Sequence, residues 1–286
     1  MRFFCAMSVE IHSATFVTSD GVRLRVMEAG PCGSDSAVAA TIPVMAFVPG
    51  WSMPADIWQP QLAALGASHR VAALDPRGQG ESEIPARGFD IERRATDVRE
   101  FVARYERVVL VGWSLGALEA LQCVHRYGDA GLEALVLVDS SVGEDPPPLP
   151  AAQFIEALQR NRRATIEVFV REMFSSPRTT LELDALADAA LRMPLEASLA
   201  LFPRGMPREH WRGIVRAFGK PLLYVVTEQL AAQAQNLLRN RPGTRVEVFE
   251  TAGHALFVDE ADRFNRLLVA FVDEIAAAAR QAPSRA

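Results

Sequence analysis

The sequence has few of the features that mark several classes of protein. Its 286 residues include only three cysteines, Cys5, Cys32 and Cys123, which are widely spaced and form no CxxC pair. This pattern excludes a disulfide-built fold and argues against a structural zinc site. The net charge is only -5, whereas binding to nucleic acid needs a concentrated surface of lysine and arginine. We therefore expect no nucleic-acid partner.

Long hydrophobic runs are also missing. No apolar run approaches the roughly 18 residues that span a bilayer, so we expect no membrane segment. The apolar start, residues 1–7, is too short for the core of a secretory signal. Hydrophobic residues make up 49% of the chain and charged residues 23%, as in ordinary globular proteins with a sizeable buried core. These observations predict a cytoplasmic protein.

Short apolar runs alternate with helical patterns along most of the chain. Two runs flank Ser19-Asp20-Gly21 and predict a hairpin, and the central runs lack polar alternation, as parallel strands covered on both faces do. The predicted strands are residues 11–18, 22–27, 44–48, 71–74, 108–111, 135–138, 222–226 and 246–249. Helical patterns lie between them, for example at 91–105 and 115–127. The alternation predicts an α/β fold with a mostly parallel sheet flanked by helices.

The pattern changes after residue 142. The proline-rich stretch 143–150 cannot lie inside a helix. Residues 151–218 then show helical apolar spacing with no strand among them. We therefore predict a helical cap, residues 144–218, inserted after strand 6. Residues 1–143 and 219–286 would form the core domain.

One glycine-bordered serine follows a predicted strand directly and opens a predicted helix. The sequence Gly112-Trp113-Ser114-Leu115-Gly116 fits the G-x-S-x-G nucleophile elbow in the required strand–turn–helix setting. Such a sharp turn holds the serine in a strained backbone conformation, and side chains on its neighbours would clash. The turn exposes the hydroxyl of Ser114 and aims the backbone N–H of Leu115 at a reacting carbonyl. Ser114 is thus a candidate nucleophile and Leu115 a candidate oxyanion-hole residue.

Four segments in this order resemble the α/β-hydrolase superfamily over nearly the whole chain. They are Val48-Pro49-Gly50-Trp51, Asp75-Pro76-Arg77-Gly78-Gln79-Gly80-Glu81-Ser82, the elbow, and Ala252-Gly253-His254. The resemblance implies an eight-stranded α/β-hydrolase sheet, His254 as general base and the backbone N–H of Trp51 as second oxyanion donor. The histidine that the family has before the loop glycine is Pro49 here, which removes a loop-bracing side chain but no amide.

The acid that would orient His254 has two candidates. In most relatives it follows strand 7 in a G-x-x-D arrangement, but the corresponding run here is Thr227-Glu228-Gln229-Leu230. Glu228 could reach the histidine from a shifted turn. Alternatively, the acid comes from the end of strand 6, as in one branch of the haloalkane dehalogenases, and that position is Asp139. We favour Asp139, because catalytic groups gather at the carboxyl ends of strands in open α/β sheets.

These residues predict a serine hydrolase that cleaves carboxylic esters through an acyl-enzyme intermediate on Ser114. The predicted cap is rich in Leu, Phe and Met, which favours small or medium apolar acyl groups. The expected partner is a small-molecule ester, and no cofactor or metal is expected. Weaker likenesses point to pimeloyl-acyl-carrier-protein methyl esterases and cofactor-free haloperoxidases. A ligand-sensing member with little or no turnover, or a lactone or C–C bond hydrolase, remains an alternative.

Overall fold

The structure, a computed structural model, describes residues 9–31, 42–148, 151–203 and 205–281, built around one eight-stranded sheet. The strands are β1 His12–Val17, β2 Arg23–Ala29, β3 Val44–Val48, β4 Val71–Leu74, β5 Val108–Trp113, β6 Leu132–Val138, β7 Leu222–Thr227 and β8 Thr244–Phe249. Their order is β1-β2-β4-β3-β5-β6-β7-β8. β2 pairs antiparallel with β1 and β4, and all other neighbours are parallel. The predicted mostly parallel sheet is confirmed.

Helices alternate with the strands. In the described residues they are α1 Gln59–Leu65, α2 Ile91–Val102, α3 Leu115–Tyr127, α4 Ala152–Arg160, α5 Arg162–Glu172, α6 Thr180–Arg192, α7 Leu195–Ala200, α8 Arg208–Ala217, α9 Ala231–Asn240, α10 Leu256–Asp259 and α11 Ala261–Gln281. No helix of the described ranges combines the length and apolar character that crossing a membrane requires. The apolar residues 1–7 lie outside the described residues.

The central strands are apolar on both faces because both faces are covered. Every residue of β3, β4, β5 and β7 is buried. Burying one Val, Leu or Phe side chain stabilises the fold by about 1.5–3 kcal/mol, so these short runs anchor the sheet. In contrast, β1 alternates between exposed and half-buried residues, as expected of an antiparallel edge strand.

Several predicted boundaries differ from the structure, two of them by three residues. The helix predicted over 91–105 ends at Val102, because Tyr105 turns away to donate its hydroxyl hydrogen bond to Glu28 of β2 at 2.5 Å. The strand predicted over 135–138 begins at Leu132. The charged Glu133 interrupts the apolar run near the start of this strand, so the pattern did not predict residues 132–134 as strand. The Glu133 carboxylate accepts a 3.0 Å hydrogen bond from Arg107 Nε.

Helices α4 to α8 lie between β6 and β7, and we call residues 151–217 the helical insertion. It contacts the loop after β3 through aromatic rings: Trp51 packs edge-to-face with Phe154 of α4 and Phe169 of α5, at centroid distances of 5.5 and 5.6 Å. The Trp51 indole N–H donates to Ser198 O of α7 at 2.7 Å. The division into a core domain and a cap at 144–218 stays a prediction.

A buried ion pair joins two helices beneath the sheet's carboxyl edge. Arg94 Nη2 of α2 lies 2.8 Å from Glu119 Oε1 of α3, and both side chains are buried. The contact falls outside hydrogen-bond geometry, so within the described ranges neither carboxylate oxygen of Glu119 receives a hydrogen bond. Burial raises the pKa of Glu119 from 4.5 to about 7, and the charge of Arg94 opposes that rise.

This raised pKa makes the stability of the fold depend on pH. Between about pH 4.5 and 7 the folded protein holds more protons at Glu119 than the unfolded chain does. The contribution of this group to the free energy of unfolding is therefore full below that window and falls as the pH rises through it. We expect the difference in the free energy of unfolding between Glu119→Gln and wild type to change in favour of the variant as the pH rises from about 5 to 8, measured by urea unfolding. Glu167→Gln on α5, at a side chain that is 44% exposed, is the control. Parallel plots of the free energy of unfolding against pH for wild type and Glu119→Gln would contradict the prediction.

Candidate active site

Ser114 lies on a tight turn between β5 and α3. Its backbone has φ 54° and ψ −120°, in the left-handed region that side chains disfavour, and Ser114 N donates to Val138 O of the neighbouring strand at 2.9 Å. The strained turn therefore raises the hydroxyl at the carboxyl edge of the sheet, as the elbow pattern predicts.

The two elbow glycines are required by close backbone contacts. A Cβ on Gly112 would lie 2.4 Å from Gly116 O, and a Cβ on Gly116 would lie 2.4 Å from Val48 O. Both contacts are with backbone atoms, which cannot rotate away. The helix that starts at Leu115 thus packs directly against β3 and the loop that follows it.

His254 lies on the loop after β8 and is held from three sides. Trp113 Nε1 donates to His254 O at 2.9 Å, and the two rings pack 5.1 Å apart. Asp259 Oδ2 accepts from Gly253 N at 2.8 Å, and the same carboxylate accepts from the backbone N–H groups of Ser175 and Ser176 in the helical insertion. Burial alone would raise the pKa of Asp259, but these hydrogen bonds hold it below its usual value. One carboxylate therefore ties the histidine loop to the insertion.

Asp139 contacts the histidine directly. Its Oδ2 lies 2.7 Å from His254 Nδ1, and its Oδ1 accepts from the backbone N–H and the hydroxyl of Thr227 at 2.8 and 2.9 Å. Because a carboxylate only accepts, Nδ1 carries the proton and Nε2 is left with a free lone pair. Glu228 is exposed on the short 3-10 helix after β7, and in the described residues no hydrogen bond joins it to His254. Of the two candidate acids, Asp139 is the one beside the histidine.

Parallel register explains why Asp139 and Thr227 meet. Val138 of β6 pairs with Val225 of β7, and Asp139 N donates to Val225 O at 2.8 Å, so the next residues of both strands emerge side by side. Asp139 adopts φ 41°, which turns its side chain toward the histidine loop. Thr227 occupies the place of the family's glycine, and no local motif in the sequence indicates that it donates hydrogen bonds to Asp139.

The serine and the histidine share one cavity of about 320 Å³. Both candidate oxyanion residues line it too, and the N–H of Leu115 stands in the first turn of α3, where helices leave amides unpaired. Most of the remaining wall is apolar, with Leu118, Pro148, Phe202, Pro203 and Leu230. The structure thus gathers Ser114, His254, Asp139, Trp51 and Leu115 around one apolar space.

Two other cavities differ in character. One, also of about 320 Å³, reaches His254 from the far side and is lined by three glutamates, Glu172, Glu228 and Glu250. A larger groove of about 480 Å³ lies between α3 and α8, beside His125 and His210, and does not include the serine. The described residues contain no cluster of three or more His, Cys, Asp or Glu placed to hold a metal ion. The apolar cavity at Ser114 is therefore the candidate active site.

Comparison with known proteins shows the family of the chain. The profile of the alpha/beta hydrolase family matches residues 45–267. The chain is 30% identical over 253 residues to a pimeloyl-acyl-carrier-protein methyl ester esterase of Vibrio atlanticus (strain LGP32), covering 81% of this chain and 95% of that protein. An esterase structure from Exiguobacterium antarcticum matches with a TM-score of 0.78 at 20% identity, covering 91% of this chain and 99% of that chain. The chain therefore belongs to the α/β hydrolase family and is a hydrolase of that superfamily.

Proposed function

We propose that the chain is a serine hydrolase that cleaves carboxylic esters through an acyl-enzyme on Ser114. The observation that carries the proposal is the 2.7 Å contact between His254 Nδ1 and Asp139 Oδ2 beside a strained serine in the same cavity. A protonated Nδ1 leaves His254 Nε2 free to take the serine proton, which a weakly nucleophilic hydroxyl needs to lose.

The reaction follows the usual two halves of acyl transfer. Ser114 Oγ attacks the ester carbonyl while His254 Nε2 takes its proton, and the backbone N–H groups of Trp51 and Leu115 bind the developing oxyanion. The tetrahedral intermediate then collapses, and the alkoxide leaves with the proton from His254. A water molecule, deprotonated by the same histidine, releases the carboxylic acid and restores the hydroxyl of Ser114.

The cavity favours small or medium apolar acyl groups. A cavity of about 320 Å³ that is lined largely by leucine, proline and phenylalanine side chains accommodates a short acyl chain, and small-molecule sites are mostly apolar in this way. The glutamates of the neighbouring cavity favour a neutral ester over one that carries a carboxylate.

An acidic carrier protein is a less favoured substrate. The V. atlanticus relative is named for a carrier-bound ester, and the helical insertion has three arginines nearly in succession, Arg160, Arg162 and Arg163. Two of them already have partners within the insertion: Arg162 donates to backbone oxygens at the end of α6, and Arg163 pairs with Asp188 at 3.2 Å. The small-molecule ester is therefore the better proposal.

The proposal is tested with a fluorophosphonate probe and a series of p-nitrophenyl esters from acetate to palmitate. We expect stoichiometric labelling of Ser114 and turnover that is highest for acetate or butyrate and falls for palmitate, whose chain exceeds the cavity. If the fluorophosphonate labels Ser114 and the protein hydrolyses lactones but not esters, the result would favour a lactonase. Absence of both labelling and turnover would reject the enzyme and favour a ligand-sensing member of the fold.

A further inference from the structure

The loop after β3 is braced by a glutamine from a different loop. Gln79 Nε2 donates to Gly50 O at 3.1 Å and to Met53 O at 2.7 Å, and these carbonyls flank Trp51 in the chain. The Gln79 side chain is buried. Within the loop, Met53 N donates to Gly50 O at 3.2 Å, so Gln79 adds a brace from outside to the one that the loop makes itself.

The orientation of this amide is set by Arg94. Gln79 Oε1 accepts from Arg94 Nη1 and Nη2, both at 3.1 Å. Because a guanidinium group only donates, the amide oxygen must face Arg94 and the amide NH₂ must face the loop carbonyls. Both hydrogens and both lone-pair directions of the amide are used. The reverse orientation would lose all four hydrogen bonds.

Arg94 also pairs with Glu119, which belongs to the helix of the elbow. Arg94 Nη2 lies 2.8 Å from Glu119 Oε1, and a buried guanidinium without a counter-charge would be strongly destabilising. Helix α3 begins at Leu115, the second candidate oxyanion residue. The chain of contacts Gln79–Arg94–Glu119 therefore connects the two segments that carry the oxyanion amides.

We propose that Gln79, oriented by Arg94 and Glu119, is a positioning residue that fixes the loop after β3 so that the Trp51 N–H faces the oxyanion. This inference rests on the proposed function. It assigns no chemical step to Gln79, which acts only through the loop. Displacing an oxyanion donor weakens binding of the transition state more than binding of the substrate. We therefore expect a loss of the Gln79 brace to lower kcat and to leave KM nearly unchanged.

The test is Gln79→Glu. A glutamate keeps acceptor oxygens for Arg94 but has no donor for the carbonyls of Gly50 and Met53. We expect kcat for p-nitrophenyl butyrate to fall by about 10²-fold, as a misplacement near 1 Å can cause, with KM within about threefold of wild type. Affinity for a trifluoromethyl ketone, whose adduct with serine carries an oxyanion, should fall in parallel.

The matched control is Gln61→Glu, another buried glutamine. Its Nε2 donates to Phe257 O at 2.7 Å and to Asn265 Oδ1 at 3.1 Å, away from the loop after β3. This variant should lose stability in urea as Gln79→Glu does, yet keep kcat. If Gln79→Glu does not fold, Gln79→Met removes the same donors and serves in its place.

The outcomes separate the two proposals. Folded Gln79 variants with wild-type kcat, or with raised KM and unchanged kcat, would overturn the role of Gln79 while ester hydrolysis by the wild type stands. An equal loss of kcat in Gln61→Glu would also overturn it, because the effect would then follow from lost stability alone. A wild type without turnover would instead reject the proposed function itself.

Discussion

Replacing Ser114 with alanine is expected to lower kcat for p-nitrophenyl butyrate by about 10⁶-fold and to abolish fluorophosphonate labelling. No other hydroxyl combines the strained turn, the helix N-terminus and the shared cavity with His254 among the described residues. The remaining slow turnover would come from substrate binding and the two oxyanion amides. The measurement is the steady-state rate of p-nitrophenolate release, with the fold checked by urea unfolding.

Ser68→Ala provides the matched control for this experiment. Ser68 lies in the turn after α1, and the one hydrogen bond that its hydroxyl makes within the described ranges is to the neighbouring His69 Nδ1 at 2.8 Å. Its loss should leave kcat and labelling as in the wild type. If Ser114→Ala kept more than about one tenth of the wild-type kcat, another nucleophile would be responsible and the proposed mechanism would be rejected.

Replacing Asp139 with asparagine is expected to lower kcat by about 10⁴-fold. The reason is specific to this site. The backbone N–H and hydroxyl of Thr227 both point at Oδ1 of Asp139, so the oxygen of an asparagine would face Thr227 and its NH₂ would face His254 Nδ1. That contact forces the proton onto Nε2. The histidine then cannot accept the proton of Ser114.

Glu228→Gln tests the competing acid. Because Glu228 is exposed and makes no hydrogen bond to His254 in the described residues, its replacement should leave kcat within about twofold. The two variants are compared at one pH with p-nitrophenyl butyrate. The reverse pattern, a large loss in Glu228→Gln and a small one in Asp139→Asn, would transfer the acid to the turn after β7.

The fold was largely predictable from the sequence because its buried strands are continuous apolar runs in the sequence. Residues 44–48 and 71–74 match β3 and β4 at both ends, since every residue there is buried, prolines flank β3, and the charged Arg70 and Asp75 flank β4. The start of β6 was not predicted, because the charged Glu133 interrupts the apolar run. In the structure this residue pairs with Arg107, so its charge is compatible with a strand.

The candidate site was predictable only in part. Ser114, Leu115 and His254 follow from local motifs, and the structure brings them together in one cavity. The choice between Asp139 and Glu228 depends on the register of β6 against β7, which no local pattern encodes. The same holds for Gln79, whose partners lie 15 to 29 residues away along the chain. Side chains that act across segments emerge only when the packing is known.

The proposed position of the acid at the end of β6 has a consequence for protein engineering. In this chain the turn after β7 contributes Gln229 and Leu230 to the wall of the cavity at Ser114 without supplying the residue that contacts His254. Substitutions at these two positions can therefore reshape the acyl pocket while leaving the proton-transfer chain intact. A combinatorial library at Gln229 and Leu230 should yield variants with altered chain-length preference and undiminished labelling of Ser114.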